Sequence, residues 1–280
     1  MITVSLCMIV KNEADVLARC LESVQGIADE IVIVDTGSTD ETKRIAAAFT
    51  DRIFDFEWVD DFAAARNFSF AQATKDYILW LDADDVVEQA DREKFIRLKE
   101  TLDPSTDSVM MHYHLSVNAK GEALSSLRRN RLVRRDRGFR WEKPVHELLV
   151  VAGNIVYSDI AVTHKKEKAH TDRNLRIYRK RAERGEQFDA RDLYYFANEW
   201  KDNGYFTEAI QYYERFLATK QGWSEDCIAA CLKMADCFGR LNDRQSQLRS
   251  LLRSLLYGRP RAEMCCRAGA LFLADNRLEQ

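Results

Sequence analysis

Short apolar runs alternate with amphipathic stretches along the first hundred residues of the chain. The runs are rich in branched residues, which predicts strands, and they cover residues 2–10, 30–35, 52–56 and 77–82. Apolar residues at helical spacing, with polar residues able to cap, predict helices within 13–24, 36–49, 62–73 and 91–98. Strands that alternate with helices indicate parallel βαβ units, so this part of the chain predicts an open α/β sheet.

The pattern changes after residue 105. Three more strands are predicted at 107–117, 128–135 and 154–164, and a charged helix follows at 170–184. From about residue 188 the chain has amphipathic stretches without a strand signal. Turns at 203–205, 241–243 and 275–277 separate these stretches. Their spacing of roughly 34 residues is similar to that of tetratricopeptide repeats.

We therefore predict two domains joined by a helix. The α/β domain covers 1–168, a connecting helix covers 169–187, and an all-α tetratricopeptide-like domain covers 188–280. In the repeat register, the usual small and large packing positions are taken by Ala197, Trp200, Ala209, Tyr213, Ala235 and Phe238. The third unit stops after one helix, so we expect the helical region to be truncated at Gln280.

Composition narrows the class of protein. The chain is 46% hydrophobic and 31% charged, an ordinary globular balance, and its net charge of -3 argues against a general nucleic-acid binder. No apolar run approaches the roughly 18 residues of a transmembrane helix. The N-terminus lacks the basic leader of a signal peptide, which predicts a cytoplasmic location. Cys227 and Cys231 are interpreted as buried apolar residues rather than zinc ligands.

Three polar clusters follow predicted strands, at 11–13, 35–38 and 82–85. In open α/β sheets, ligands bind beyond the carboxyl ends of the strands. Asp82 and Asp84 can face one point there, and paired carboxylates repel each other unless a cation lies between them. Their oxygen atoms suit Mg²⁺ or Mn²⁺. The alternative is that Asp84 or Asp85 caps the helix near 91–98.

Three stretches in this order are quite specific: VSLCMIVKNEADVLARCLESV, DEIVIVDTGSTDET and ARNFSFAQATKDYILWLDADD. They resemble family 2 glycosyltransferases of the GT-A (Rossmann-like) fold, over roughly residues 3–168. The resemblance implies a UDP-sugar donor, with Asp84 as direct metal ligand and Asp82 as a ribose or metal-shell contact. It also implies a nucleotide-sugar pocket formed by Ile9, Val10, Glu13, Asp35, Arg66 and Arg131.

Within that pocket, the resemblance implies that Asp35 bonds the uracil edge and that Arg66 contacts the base or the diphosphate. Arg131 would approach the diphosphate. Two alternatives remain open: Glu13 stabilises a helix N-terminus, and Arg66 is a solvated helix residue. Most arginines of RRNRLVRRDRGFR (128–140) are interpreted as a solvated edge strand.

The stretch WEKPVHELLV (141–150) supplies further candidate chemistry. His and Glu are common proton acceptors, and an inverting sugar transfer needs one base. Glu147 is the first candidate and His146 the second, although His146 is equally interpreted as a structural histidine. Trp141 either stacks on a sugar or belongs to the core. The resemblance implies His164 as a third metal ligand, with His170 as the fallback.

The favoured function is inverting, metal-dependent transfer of a hexose from a UDP-sugar to a cysteine or serine of a peptide or protein. This follows from a resemblance to bacterial peptide S- and O-glycosyltransferases of the sublancin type, in which a GT-A domain precedes tetratricopeptide-like helices. The helical region would bind the peptide or form a homodimer. The alternatives are a lipopolysaccharide-core or surface-polysaccharide glycosyltransferase and a non-catalytic scaffold with a dead transferase domain.

Overall fold

The computed structural model describes residues 1–118, 121–165 and 171–274. The chain divides into two compact units, Met1–Ala169 and His170–Gln280. The predicted domain boundary at residue 168, the fallback ligand His170 and the third turn at 275–277 lie outside the described residues. No helix in the described ranges is both long enough and apolar enough to cross a bilayer.

The first unit contains ten strands and four α-helices among its described residues. The strands are β1 (Val4–Val10), β2 (Glu30–Asp35), β3 (Ile53–Asp55), β4 (Tyr77–Trp80), β5 (Asp85–Val86), β6 (Ser108–Val117), β7 (Ala123–Arg134), β8 (Arg140–Glu142), β9 (Leu148–Val150) and β10 (Ile155–His164). The helices are α1 (Leu17–Ser23), α2 (Thr42–Ala46), α3 (Phe62–Ala71) and α4 (Gln89–Thr101). The predicted alternation of strands and helices over the first hundred residues is confirmed.

Eight strands form one mixed sheet in the order β3-β2-β1-β4-β7-β6-β10-β5, and β8 pairs with β9 in a separate ribbon. Strands β3, β2, β1 and β4 are parallel, and β7 then pairs antiparallel with both β4 and β6. The interpretation of the arginine-rich segment as an edge strand is therefore wrong. It lies in the interior of the sheet because two neighbours pair with it.

The sheet has an apolar core on each face. Alternate residues of β1 point to opposite faces, so Leu6 packs in the cluster that contains Leu17 of α1 and Phe95 of α4. Cys7 packs on the other face, in the cluster that contains Phe70 of α3. Burial of both faces explains the near-continuous apolar run of β1, which only Ser5 interrupts.

The start of α4 differs from the expected cap, and the start of α2 is bonded by one of the polar residues before it. Helix α4 is preceded by Glu88, so the interpretation of Asp84 or Asp85 as its cap is wrong. The position before α2 is Glu41, but the Asp40 carboxylate accepts a hydrogen bond from the Thr42 amide. Asp84 and Asp85 are thus left for another role.

The second unit is all-helical over its described residues. It consists of α5 (Arg173–Glu183), α6 (Ala190–Asp202), α7 (Phe206–Ala218), α8 (Ser224–Arg240), α9 (Arg244–Arg253) and α10 (Ala262–Ala274). The predicted turns at 203–205 and 241–243 separate α6 from α7 and α8 from α9, and both contain a residue at positive φ, Gly204 and Asn242. Ala197, Ala209, Tyr213 and Ala235 are fully buried, as the repeat register predicts.

Candidate functional site

The polar segments after β1 and β2 meet at one edge of the sheet. The Asn12 amide donates to Ser38 Oγ at 2.9 Å, and the Thr39 amide donates to Asn12 Oδ1 at 2.7 Å. The Glu13 amide donates to Thr42 Oγ1 at 2.7 Å. These hydrogen bonds hold the segments after β1 and β2 together at the carboxyl end of the sheet. Open α/β sheets bind their ligands at this edge.

Asp35 ends β2 opposite Val10 of β1, and Ile9 precedes Val10 on the same strand. The Asp35 side chain is buried, and its Oδ1 accepts from the amides of Gly37 at 2.9 Å and Ser38 at 2.8 Å. Its Oδ2 is also buried but has no hydrogen-bond partner among the described residues. A buried acceptor without a donor is costly, which marks this oxygen as a place for a ligand N–H group.

Arg66 joins the end of β4 to the β8–β9 ribbon. It lies on α3, where its Nη2 binds Asp82 Oδ1 and its Nε binds Glu147 Oε1, both at 2.7 Å. The guanidinium carbon lies 5.1 Å from the centre of the Trp80 ring and 4.8 Å from that of Trp141. The side chain is buried, so the alternative of a solvated helix residue is wrong.

The Asp82 carboxylate and the Arg66 guanidinium are both held in their charged forms. Burial alone would raise the pKa of Asp82, but the guanidinium groups of Arg66 and Arg131 hold it below its ordinary value. Burial opposes the charge of Arg66, and the carboxylates of Asp82 and Glu147 nevertheless raise its pKa. Asp82 and Arg66 therefore form an ion pair in which both partners are charged.

Asp84, Asp85 and His164 form a group that could hold a metal ion. One ligand atom from each lies within 4.8 Å of the others, and His164 Nδ1 is 3.4 Å from both Asp84 Oδ1 and Asp85 Oδ1. Hydrogen bonds with the two aspartates raise the pKa of His164 to about 10. The two carboxylates are the ligands that suit Mn²⁺ or Mg²⁺. Asp82 lies beside this group, and its Oδ1 is occupied by Arg66.

The ribbon brings the predicted base to the same place. Asn67 of α3 holds Trp141 through two hydrogen bonds of 2.9 Å, one in each direction. His146 adopts a left-handed backbone with φ 50°, immediately before Glu147. A cavity of about 300 Å³ opens beside them. Its lining includes Arg66, Asp82, Tyr113, Arg129, Arg131, Trp141, His146 and Glu147.

The structure adds four residues that the sequence did not single out for these roles. Trp80 and Tyr113 flank the buried Arg131, with ring centres 3.9 and 4.3 Å from its guanidinium carbon. Asn67 orients the ribbon, and Asp85 takes a place in the candidate metal group. The position of Asp85 directly after Asp84 is a sequence signal for a metal ligand. The local pattern does not, however, distinguish a metal ligand from a residue that caps a helix.

Comparison with known proteins identifies a family and several relatives. Residues 5–150, just over half of the chain, match the model of glycosyl transferase family 2. A TPR repeat-containing protein of Synechococcus elongatus is 40% identical over 149 residues, which is 53% of this chain and 36% of that protein. The glycosyltransferase SunS of Bacillus subtilis is 33% identical over 114 residues, 40% of this chain and 27% of that protein.

A third relative is the lipopolysaccharide core biosynthesis glycosyltransferase LpsC of Rhizobium meliloti. It is 32% identical over 161 residues, 54% of this chain and 58% of that protein. The chain thus spans less than two thirds of the length of each of these three relatives.

Proposed function

The chain belongs to glycosyl transferase family 2, and from this premise we propose that it transfers a sugar from a UDP-sugar to an acceptor, with inversion at the anomeric carbon. The proposal rests on Arg66, which joins Asp82 to Glu147 at 2.7 Å each, beside the group formed by Asp84, Asp85 and His164. One buried arginine thereby lies between a candidate cation site and a candidate base. Donor activation and acceptor deprotonation need that proximity.

Uridine is the proposed base of the donor. The buried, unpartnered Oδ2 of Asp35 supports it, because uracil carries an N3–H donor. Cytosine presents an acceptor at the same position and would leave two acceptors facing each other. Ile9, Val10 and Glu13 lie on or directly after β1, beside Asp35, where they would line the base and ribose pocket.

The donor diphosphate is proposed to lie next to the group formed by Asp84, Asp85 and His164. These residues would hold Mg²⁺ or Mn²⁺, with Asp82 contacting the ribose or the metal shell. A bound divalent cation would neutralise the charge that develops on the leaving diphosphate. Asp82 keeps its negative charge because Arg66 and Arg131 lower its pKa.

Glu147 is the proposed general base. Arg66 donates a hydrogen bond to its Oε1 and so fixes the carboxylate beside the cavity. As the acceptor nucleophile attacks the anomeric carbon, its proton passes to Glu147 and the bond from that carbon to the diphosphate breaks. His146, the neighbouring residue, is the second candidate. Trp141 lines the cavity in which the transferred sugar would lie.

A cysteine or serine of a peptide is the proposed acceptor. The second unit supports it, because stacked helix pairs present an extended surface on which a peptide can lie. A lipopolysaccharide-core acceptor is the second candidate, since the matched segment of LpsC is longer than that of SunS. Dimerisation through the helices and a cytoplasmic location belong to the same proposal.

The first test is thermal melting with UDP, CDP and UDP-sugars in Mn²⁺, Mg²⁺ or EDTA, for the wild type, Asp84→Ala and Asp35→Asn. We expect UDP with metal to raise the melting temperature of the wild type and not that of Asp84→Ala. Asp35→Asn should lose the preference for UDP over CDP. No shift with any nucleotide would contradict the proposed donor.

Product analysis then identifies the acceptor. We expect transfer to peptides that contain cysteine or serine, and loss of transfer when those residues are alanine. Transfer to core oligosaccharide alone would instead support the second candidate. UDP binding without transfer to either acceptor class, and without hydrolysis of the donor, would favour the non-catalytic scaffold.

A further inference from the structure

Arg131 is a fully buried charged residue of the first unit. It lies on β7 and has no exposed surface, and its guanidinium carbon is 3.9 Å from the Trp80 ring centre and 4.3 Å from that of Tyr113. A buried guanidinium is costly unless a carboxylate pairs with it. Among the described residues that carboxylate is Asp85, at 3.1 Å from Nη1, and its side chain is also fully buried.

The two oxygens of Asp85 have different partners. Oδ2 binds Arg131 Nη1 and accepts the backbone amide of Asp82 at 3.0 Å. Oδ1 lies 3.4 Å from Nδ1 of His164, which is the same distance from Asp84 Oδ1. The bonds to Oδ2 therefore set the direction of Oδ1, and that direction is toward His164 and Asp84.

We propose that Arg131 is a positioning residue for the divalent-cation site, and that Asp85 is the third protein ligand because Arg131 orients it. The proposal rests on the metal-dependent function proposed above. The sandwich between two aromatic rings suits arginine, whose planar group stacks on rings while its N–H groups bind carboxylate. The approach of Arg131 to the diphosphate, which the family resemblance implies, is not needed for this role.

Two physical effects of Arg131 on a bound cation have opposite signs. A positive charge near the site repels the cation, so its removal alone would strengthen metal binding. Loss of orientation of Asp85 would weaken metal binding, and residues that orient metal ligands typically contribute about 10–100-fold in affinity. A fall in Mn²⁺ affinity on removal of Arg131 therefore indicates that Arg131 orients Asp85. A rise in Mn²⁺ affinity indicates that Arg131 acts only through its positive charge.

The test is a titration of the full chain with Mn²⁺, followed by electron paramagnetic resonance, with and without UDP. We expect Arg131→Met to weaken Mn²⁺ binding by at least about tenfold. We expect Asp85→Asn to weaken it as well, and the double variant to bind Mn²⁺ no more weakly than Asp85→Asn. Unchanged or tighter binding by folded Arg131→Met would overturn the proposal.

The second unit offers a matched control. Arg181 is also buried, lies near the rings of Tyr178 and Phe188, and binds Asp192 at 3.0 Å. Arg181→Met should lower stability without changing Mn²⁺ affinity.

If Arg131→Met does not fold, Mn²⁺ binding is measured for Arg131→Lys instead. This variant keeps the positive charge but loses the planar group that lies between the two aromatic rings. Weaker Mn²⁺ binding by Arg131→Lys supports positioning, and unchanged binding overturns it. A wild type that binds no Mn²⁺ in the presence of UDP overturns the metal-dependent function and this proposal together. A wild type that binds Mn²⁺ like every variant overturns only the role of Arg131 and Asp85.

Discussion

Both units bury an arginine near aromatic rings and pair it with two carboxylates, yet the two clusters have different surroundings. In the helical unit, Arg181 binds Asp192 at 3.0 Å and Glu186 at 2.8 Å, which ties α5 to the start of α6. In the first unit, Arg66 binds Asp82 and Glu147, and these carboxylates line a cavity. A buried ion pair is thus no marker of function by itself. Its position at a strand end, beside a cavity, makes the difference.

The largest expected contrast concerns turnover. Glu147→Gln keeps the shape of the side chain and removes its ability to accept a proton, so sugar transfer should fall by about 10²–10⁴-fold. Asp192→Asn makes the same chemical change beside the other buried arginine and should leave turnover per folded molecule unchanged. Steady-state rates of both variants check this. Full activity of Glu147→Gln would transfer the role of base to His146.

The next contrast compares the arginines themselves. Arg66→Met leaves Glu147 without its arginine partner and leaves Asp82 with Arg131 alone. Breaking a buried pair typically costs about 3–5 kcal/mol. Arg181→Met should lower the free energy of unfolding by a similar amount, as measured by urea denaturation. Only Arg66→Met should also weaken UDP binding. Equal UDP affinity in the two variants would show that Arg66 is purely structural.

A smaller contrast compares two helix caps of the same geometry. Asp61 accepts the Ala64 amide at the start of α3, and Asp189 accepts the Asp192 amide at the start of α6, both at 2.9 Å. Loss of such a cap costs about 1 kcal/mol, so both alanine variants should be destabilised to that extent. Because α3 carries Arg66, Asp61→Ala alone should raise the Kd for UDP. Calorimetric titration separates the two variants.

The smallest contrast is in acid stability. Burial alone would raise the pKa of Glu30, but hydrogen bonds from Ser5 and Thr74 lower it, so its ionised form stabilises the fold and this contribution is lost as pH falls. Burial raises the pKa of Asp226 in the helical unit, so protonation of Asp226 favours the fold as pH falls. Between about pH 5 and pH 3 the melting temperature should fall less steeply for Glu30→Gln and more steeply for Asp226→Asn. Parallel curves for all three proteins would contradict both assignments.

The sequence predicted the fold best where strands are covered on both faces. The apolar run of β1 predicts a strand because successive residues pack alternately against helices on the two faces of the sheet. Strands β5, β8 and β9 have two or three residues each, too few to show a period. The interior place of β7 was also missed, because its exposed arginines hide the buried stretch Arg131–Val133.

The position of the candidate site in the sheet was more predictable than the contacts between its side chains. Parallel strands end at one edge of a sheet, so residues after β1, β2 and β4 had to lie close together. The bridge from Arg66 to Glu147 spans 81 residues of sequence. No local pattern states which carboxylate oxygen faces which arginine, since tertiary packing decides it. For that reason the sequence gives Asp85 no role beyond the alternative of a helix cap, since its partners, Arg131 and His164, lie far along the chain.

The attachment of the β8–β9 ribbon has a consequence for protein engineering. The Asn67 side chain donates one hydrogen bond to the Trp141 backbone and accepts one from it. In a sheet, a neighbouring strand would form this pair of bonds. Within the described part of the chain, the ribbon pairs with no strand of the main sheet. Residues 139–151 can therefore be exchanged as one segment, on the condition that the chimera keeps Asn67, the Trp141 position and a carboxylate at position 147 to pair with Arg66.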